Sequence, residues 1–137
     1  MTQQHTVLSE DARYPARLRE RLGDDAPAQL SALGNLDLLA VPNTGLFCSV
    51  RCPGHVILTT YDQAAKWRDT GRCVISGFHS PVEKECLRIL LRGSQPIIIC
   101  PARAIEAMRI PTELRTAFDA GRVLYLSPFA KQPRRVT

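Results

Sequence analysis

From residue 45 onward, short apolar runs alternate with helical patterns, and this alternation restricts the chain to a few folds. The apolar runs, each about as long as a strand, lie at 46–48, 72–76, 96–100 and 122–126. Apolar residues at helical spacing mark the stretches between them, at 55–70, 81–92 and 111–120. Strands that alternate with helices indicate βαβ units with parallel strands. The sequence therefore predicts an α/β fold, a Rossmann-like, doubly wound, mainly parallel sheet of about four or five strands with helices on both faces.

The length of the chain limits its organisation. A chain of 137 residues suffices for one domain with a real core and is too short for two ordinary ones. The predicted parts are an N-terminal extension with short helices (1–33), a Rossmann-like core (34–129) and a basic tail (130–137). Within the extension, Tyr14-Pro15 opens a first short helix, a second helix is predicted at 26–33, and residues 1–13 are predicted to be loosely attached.

Composition and charge indicate which kinds of partner the chain is expected to bind. The chain is 45% apolar and 23% charged, which is ordinary for a globular protein. No apolar run approaches the roughly 18–20 residues that a membrane helix needs, and the N-terminus lacks an apolar signal region. We therefore predict a cytoplasmic protein without a membrane partner. The net charge of +5 favours polyanionic partners such as nucleic acid.

Several common kinds of site are absent from the sequence. Five cysteines without a signal region argue against a disulfide framework and favour buried thiols. Cys48 and Cys52 with His55 lack the second cysteine pair that would complete a zinc site, so no metal is predicted. No GxGxxG and no GxxxxGK[ST] occurs, so neither the dinucleotide fingerprint nor the P-loop is present. The sequence predicts no cofactor.

The ends of the predicted strands carry the candidate site. Ligands of open parallel sheets bind outside the carboxyl ends of the strands, where the strand order reverses. The stretch CVISGFHSPVE, residues 73–83, passes from a strand through a glycine turn into a helix start, and arginines follow two other strands. The predicted ligand-binding or phosphate-binding residues are Ser49, Arg51, Ser76, Gly77, Phe78, His79, Ser80 and Arg103.

Each of these residue types has a chemical reason to contact a phosphate or nucleotide ligand. Arginine pairs with phosphate through a planar fork of donors, and small residues let a ligand approach the backbone. Gly77 is predicted to adopt a backbone conformation closed to other residues. Phe78 and His79 are predicted to contact a base or sugar.

Two enzymatic interpretations stay open beside simple binding. Ser80-x-x-Glu83 matches a capping box, which explains Glu83 as a structural residue. Glu83 also lies beside the glycine turn, where a catalytic acid or base would be placed. A nucleophilic Cys52 or Cys100 paired with His79 is the other enzymatic interpretation.

The order of these motifs resembles the DNA processing protein A (DprA/Smf) family, a Rossmann-like group related to the cytokinin-activating phosphoribohydrolases. Residues 77–103 match the pattern GFHSPxEKxCLxxLLRGxxPxIxCPAR, which is typical of a short, divergent branch. The other matching segments are Tyr14-Pro15 with Leu18 (YPxxL), Gly34-Asn35-Leu36 (GNL), residues 46–51 (VGSR), residues 74–77 (VVSGLARG) and residues 121–129, where the family has a strand ending in SE.

The resemblance implies a Rossmann-like fold that binds single-stranded DNA in a basic pocket and acts in DNA processing or recombination. By motif, it places DNA phosphates at Arg51, Ser76 and Gly77. It also implies a homodimer and a recombinase partner. The chain departs from the family where GSR is Ser49-Val50-Arg51 and where ARG is His79-Ser80-Pro81, and it lacks RNRxIAGLS.

Three functions follow from these observations. The first is a non-enzymatic protein that binds single-stranded DNA. The alternative is binding of a small nucleotide or nucleotide-derived ligand at the same strand ends, with hydrolysis assisted by Glu83. The third is a module that mainly self-associates, through apolar residues of 123–129 predicted to be exposed.

Overall fold

The computed structural model describes residues 4–106 and 108–129, within which the chain forms six strands and four α-helices. The strands are β1 (Gln4–Leu8), β2 (Gln29–Gly34), β3 (Asn43–Gly45), β4 (Cys73–Ser76), β5 (Ile97–Ile99) and β6 (Val123–Ser127). The α-helices are α1 (Ala16–Leu22), α2 (Gly54–Thr70), α3 (Pro81–Leu91) and α4 (Thr112–Asp119). Short 3₁₀ turns lie at Gly23–Asp25 and Leu36–Ala40. Strands and helices alternate from β3 to β6, as predicted.

All six strands form one mixed sheet in the order β1-β2-β6-β5-β4-β3. The strands β3 to β6 are parallel, with Val74 opposite Ile97 and Ile97 opposite Val123. The strands β1 and β2 are antiparallel additions beside β6. The Rossmann-like α/β prediction is confirmed, with six strands where about four or five were expected.

Different helices cover the two faces of the sheet. Because β3 to β6 follow chain order across the sheet, their three crossovers run in one direction. Helices α2, α3 and α4 accordingly bury residues such as Ala64, Cys86 and Phe118 in one core. The other face packs against α1 and the turn at Leu36–Ala40 around Ile98. Helices lie on both faces, as predicted.

The N-terminal region differs from its predicted helical character. The helix predicted at 26–33 is wrong, because Gln29–Gly34 is strand β2, and part of the segment predicted to be loosely attached is strand β1. The strand β2 lies between β1 and β6, so pairing with residues distant in sequence overrides its local helical pattern. The boundary predicted between residues 33 and 34 falls inside β2.

Gly34 permits the close pairing of β2 with β6. Its φ of +119° lies in a region that favours glycine, and a Cβ at this position would collide with the carbonyl oxygen of Val123. The predicted exposure of residues 123–129 is wrong for most of that segment. Val123–Ser127 is buried inside the sheet, and within 123–129 only Pro128 and Phe129 are exposed.

Two further features bear on function. Within the described residues, no helix combines the length and hydropathy that a membrane crossing requires. The basic cluster predicted at Lys131, Arg134 and Arg135 lies outside the described residues.

Candidate ligand site at the carboxyl ends of the strands

The loops that follow the four parallel strands adjoin one another. We call their residues, 46–53, 76–80, 100–103 and 127–129, the carboxyl edge. The Cys100 amide donates to the Ser76 carbonyl at 2.9 Å, and the Ser127 hydroxyl donates to the Arg103 carbonyl at 2.8 Å. Among β3 to β6 the strand order does not reverse, so the carboxyl edge is built from consecutive neighbouring loops and not around the reversal expected from sequence.

Glu83, a buried residue that is only 6% exposed, connects two of these loops through its carboxylate. Its Oε1 accepts hydrogen bonds from the backbone amides of His79 and Ser80, each at 2.9 Å. Its Oε2 accepts one from the Cys48 amide, also at 2.9 Å. The Ser80 hydroxyl accepts from the Glu83 amide at 3.3 Å and completes the predicted capping box. Glu83 therefore holds the loop after β3 against the start of α3.

The environment of Glu83 keeps its carboxylate ionised. Burial by itself would raise the pKa of Glu83, but hydrogen bonds from the amides of Ser80, Cys48 and His79 lower it overall. A general acid or base near neutral pH needs a pKa near 7 and a free lone pair. The geometry therefore assigns Glu83 a positioning role and does not favour the catalytic interpretation.

The turn after β4 differs from the prediction for Gly77. Gly77 is not among the glycines with positive φ, and the strained residue is its buried neighbour Phe78, with φ of 53°. For a bulky residue this conformation is a genuine outlier. The glycine is needed for space, because a Cβ on Gly77 would collide with the His79 imidazole and lie 3.2 Å from the Cys100 carbonyl oxygen.

Burial separates the eight predicted site residues into two groups. Ser76, Phe78 and Ser80 are buried, and the Ser76 hydroxyl accepts from the Phe78 amide at 3.1 Å. Phe78 is only 5% exposed, so it lacks the free ring face predicted to contact a base. Gly77 is half-buried. The exposed members are Ser49, Arg51, His79 and Arg103.

One exposed aromatic residue was missed from sequence. Phe47 is 88% exposed in the loop after β3, with its ring edge over Gly45, and Val50 in the same loop is 77% exposed. The apolar run at 46–48 predicts a buried strand, but the strand ends at Gly45. An aromatic residue close to Ser49 and Arg51 in sequence is a signal for a base contact at this loop. The apolar neighbours of Phe47 instead indicated a buried strand.

Two cysteines at the carboxyl edge, Cys48 and Cys100, do not have the properties of activated nucleophiles. Burial raises the pKa of Cys100 to about 11, and burial together with the Glu83 charge raises the pKa of Cys48. A nucleophilic cysteine reacts as the thiolate, which a raised pKa disfavours. Within residues 4–106 and 108–129, no group of three His, Cys, Asp or Glu residues could hold a metal ion.

Two solved structures share the fold of this chain. The X-ray structure of DNA processing protein A (DprA) from Streptococcus pneumoniae superposes with a TM-score of 0.71 at 20% identity, over 96% of this chain. The chain has a DprA-like fold. A DprA structure from Helicobacter pylori, described for its single-stranded DNA binding mode, gives a TM-score of 0.66 at 18% identity over 98% of this chain.

The similarity to these DprA structures covers only part of their chains and was found by comparing structures, not sequences. This chain spans 46% of the S. pneumoniae DprA chain and 59% of the H. pylori DprA chain. No protein-family model and no curated protein matches it. The resemblance to DprA seen in short motifs is thus confirmed by the fold.

Proposed function

We propose that this chain binds single-stranded DNA along the carboxyl edge of its sheet. The observation that carries the proposal is a pair of exposed arginines, Arg51 and Arg103, on two of the adjoining loops of a DprA-like fold. Neither side chain has an ion pair within the described residues. Free guanidinium groups are the preferred partners of phosphate in proteins.

Charge at the carboxyl edge supports an anionic ligand. The carboxylate of Glu83 points inward and is engaged by three backbone amides. Its negative charge is therefore offset by fixed dipoles and opposes an incoming phosphate only weakly. In the proposal, the loops carrying Arg51, Gly77 and Arg103 form one electropositive hollow, with Ser49 and His79 exposed beside it.

A contact to the bases completes the proposal. Phe47 lies in the same loop as Arg51, and its ring is almost fully exposed. Aromatic rings bind unpaired bases by stacking, without strong preference for sequence. In the proposal, the ring of Phe47 makes the base contact that was predicted for Phe78.

Fluorescence anisotropy of labelled oligo(dT) at several salt concentrations tests the proposal. We expect saturable binding, with an affinity that falls as salt rises by a log–log slope of about −0.7 for each phosphate neutralised. Isothermal titration with AMP and with dTMP measures mononucleotide binding directly. Binding of the mononucleotide without binding of oligo(dT) would favour the small-nucleotide alternative, and no binding of either at low salt would refute the site.

Phe47→Ala is expected to weaken oligo(dT) binding by about 1–3 kcal/mol, the usual contribution of one stacked base. The free energy of unfolding should hardly change, because the ring is exposed. Phe47→Tyr keeps an aromatic face and should bind normally. The matched control is Val50→Ala, which removes exposed apolar surface from the same loop without removing a ring. Equal affinities for Phe47→Ala and Val50→Ala would contradict the stacking role.

The resemblance to DprA also motivates a homodimer and a recombinase partner in DNA recombination. Light scattering of the free and DNA-bound chain measures the first. An electrophoretic mobility shift assay tests the recombinase partner, because a complex of this chain, a recombinase and single-stranded DNA migrates as one species. A monomer under both conditions, or independent migration, would remove these parts of the proposal and leave DNA binding intact.

A further inference from the structure

A cleft of about 780 Å³ opens on the sheet face opposite α2, α3 and α4. Its floor is made by apolar residues of the parallel strands β4, β5 and β6, namely Ile75, Ile98 and Leu126. One wall is α1, through residues such as Leu18, and the other is the segment 39–43. We call it the sheet-face cleft. Its volume lies in the range of about 300–1,000 Å³ that small-molecule sites occupy.

The lining of the sheet-face cleft is apolar with a cationic component. Among the described residues that line it there is no acidic and no aromatic side chain, and the charged members are Arg17 and Arg72. Both arginines are exposed, and neither has an ion pair within the described residues. The Arg72 Nε donates to the Thr44 hydroxyl at 2.7 Å, which fixes the stem and leaves its two terminal nitrogens available.

This combination selects a class of ligand. Burying a hydrocarbon chain against aliphatic side chains contributes favourable binding free energy, and so does pairing of a guanidinium group with a carboxylate or phosphate. Nucleotide bases are a poor match, because the lining offers no ring for stacking and Asn43 as its one side-chain amide. The chain's own basic tail, with Lys131, Arg134 and Arg135, has the wrong charge to pair with these arginines.

We propose that the sheet-face cleft binds a single-chain amphiphile whose aliphatic chain lies against the accessible lining residues Leu22, Val41 and Ile75 and whose anionic head pairs with Arg17 and Arg72. Such a molecule can be a free fatty acid, an alkyl phosphate or one chain of a membrane lipid, which share this chemistry. The cleft borders the carboxyl edge at Cys100 and Pro128, but none of Arg51, Arg103 and Phe47 lines it, so the two proposed sites use different arginines.

Isothermal titration with decanoate and decyl phosphate, below their micelle concentrations, tests the proposal. We expect saturable binding of both anions and binding at least about tenfold weaker for decyltrimethylammonium, since hydrogen bonds to charged groups contribute that much or more. Flotation with phosphatidylglycerol vesicles separates the sources. Binding to free amphiphiles alone identifies a soluble ligand, and binding to vesicles that is also lost in Ala40→Trp identifies a lipid chain, because attraction of the net charge to an anionic surface would survive that substitution.

Variants locate the site. Arg17→Gln/Arg72→Gln should weaken decanoate binding at least about tenfold, for the same reason. Arg21→Gln/Arg92→Gln, which removes the same charge from residues outside the lining, should bind normally. Ala40→Trp places a ring at an exposed lining position and should block the cleft without disturbing the core.

Any one of three results would overturn the proposal. The first is no saturable binding of decanoate or decyl phosphate, and the second is equal affinity for decyltrimethylammonium. The third is an unchanged decanoate affinity in both Arg17→Gln/Arg72→Gln and Ala40→Trp. Urea denaturation of each variant shows whether it is folded. Oligo(dT) affinity of Ala40→Trp should equal that of the unmodified chain, which separates failure here from failure at the carboxyl edge.

Discussion

Glu83→Ala is expected to lower the free energy of unfolding by about 3–5 kcal/mol, because it leaves three backbone amides without an acceptor at about 1–3 kcal/mol each. The amides are those of Cys48, His79 and Ser80. Solvent reaches the exposed turn at His79, which holds the expected loss below the full sum. Urea denaturation measures the loss. Glu85→Ala, on the same helix but at the surface with a salt bridge to Arg88, is the control and should cost about 0.5 kcal/mol or less.

The pH dependence of the free energy of unfolding tests whether the negative charge of Glu83 causes this stabilisation. Its folded-state pKa is lowered, so its contribution to stability is fully present above the unfolded-state pKa of about 4.3. That contribution is lost as pH falls through the folded-state pKa. The stability difference between the unmodified chain and Glu83→Ala should therefore shrink at acidic pH. A difference that stays constant from neutral pH to below the folded-state pKa would show that the side chain acts only by packing.

Arg51→Ala/Arg103→Ala is expected to weaken oligo(dT) binding at least about 100-fold at low salt, because each guanidinium–phosphate contact contributes about 1.5–3 kcal/mol. The log–log salt slope should become less negative by about 1.4, which is two contacts on a single strand. Fluorescence anisotropy at several salt concentrations measures both quantities. Stability should be unchanged, since both side chains are exposed and have no ion pair in the described part of the chain.

The control for this pair removes the same charge elsewhere. Arg21 lies on α1, which covers the other face of the sheet, and Arg92 caps the far end of α3. Arg21→Ala/Arg92→Ala should therefore lose only the small affinity due to net charge. If both double variants lose affinity equally, DNA binding is a property of overall charge and the carboxyl edge is not the site.

The local parts of the fold were predictable because short-range chemistry decides them. The apolar spacing of 55–70 and 81–92 predicted α2 and α3 within a residue or two, and the runs at 72–76, 96–100 and 122–126 predicted β4, β5 and β6. The Ser80-x-x-Glu83 spacing predicted the capping box of α3. Each of these signals needs only neighbours within a few residues in the chain.

The candidate site was predicted less completely, since exposure and strain depend on contacts distant in sequence. Arg51 and Arg103 were predicted and are exposed, but the backbone conformation predicted for Gly77 and the base contact predicted for Phe78 were wrong. Gly77 gives room to the His79 ring, and Phe78 carries the positive φ and is buried. Phe47 was missed because an apolar residue beside a strand is usually buried.

The sequence by itself determined that strands and helices alternate, where most of them begin and end, and that arginines and small residues follow the strands. Only the tertiary structure decided that β1 and β2 join the sheet, that Glu83 bonds to Cys48 across 35 positions, and that the other sheet face keeps an open cleft. The physical reason is the range of the interactions. Helical spacing and caps act within a few residues, whereas strand pairing, burial and cavity shape depend on segments that meet only when the chain folds.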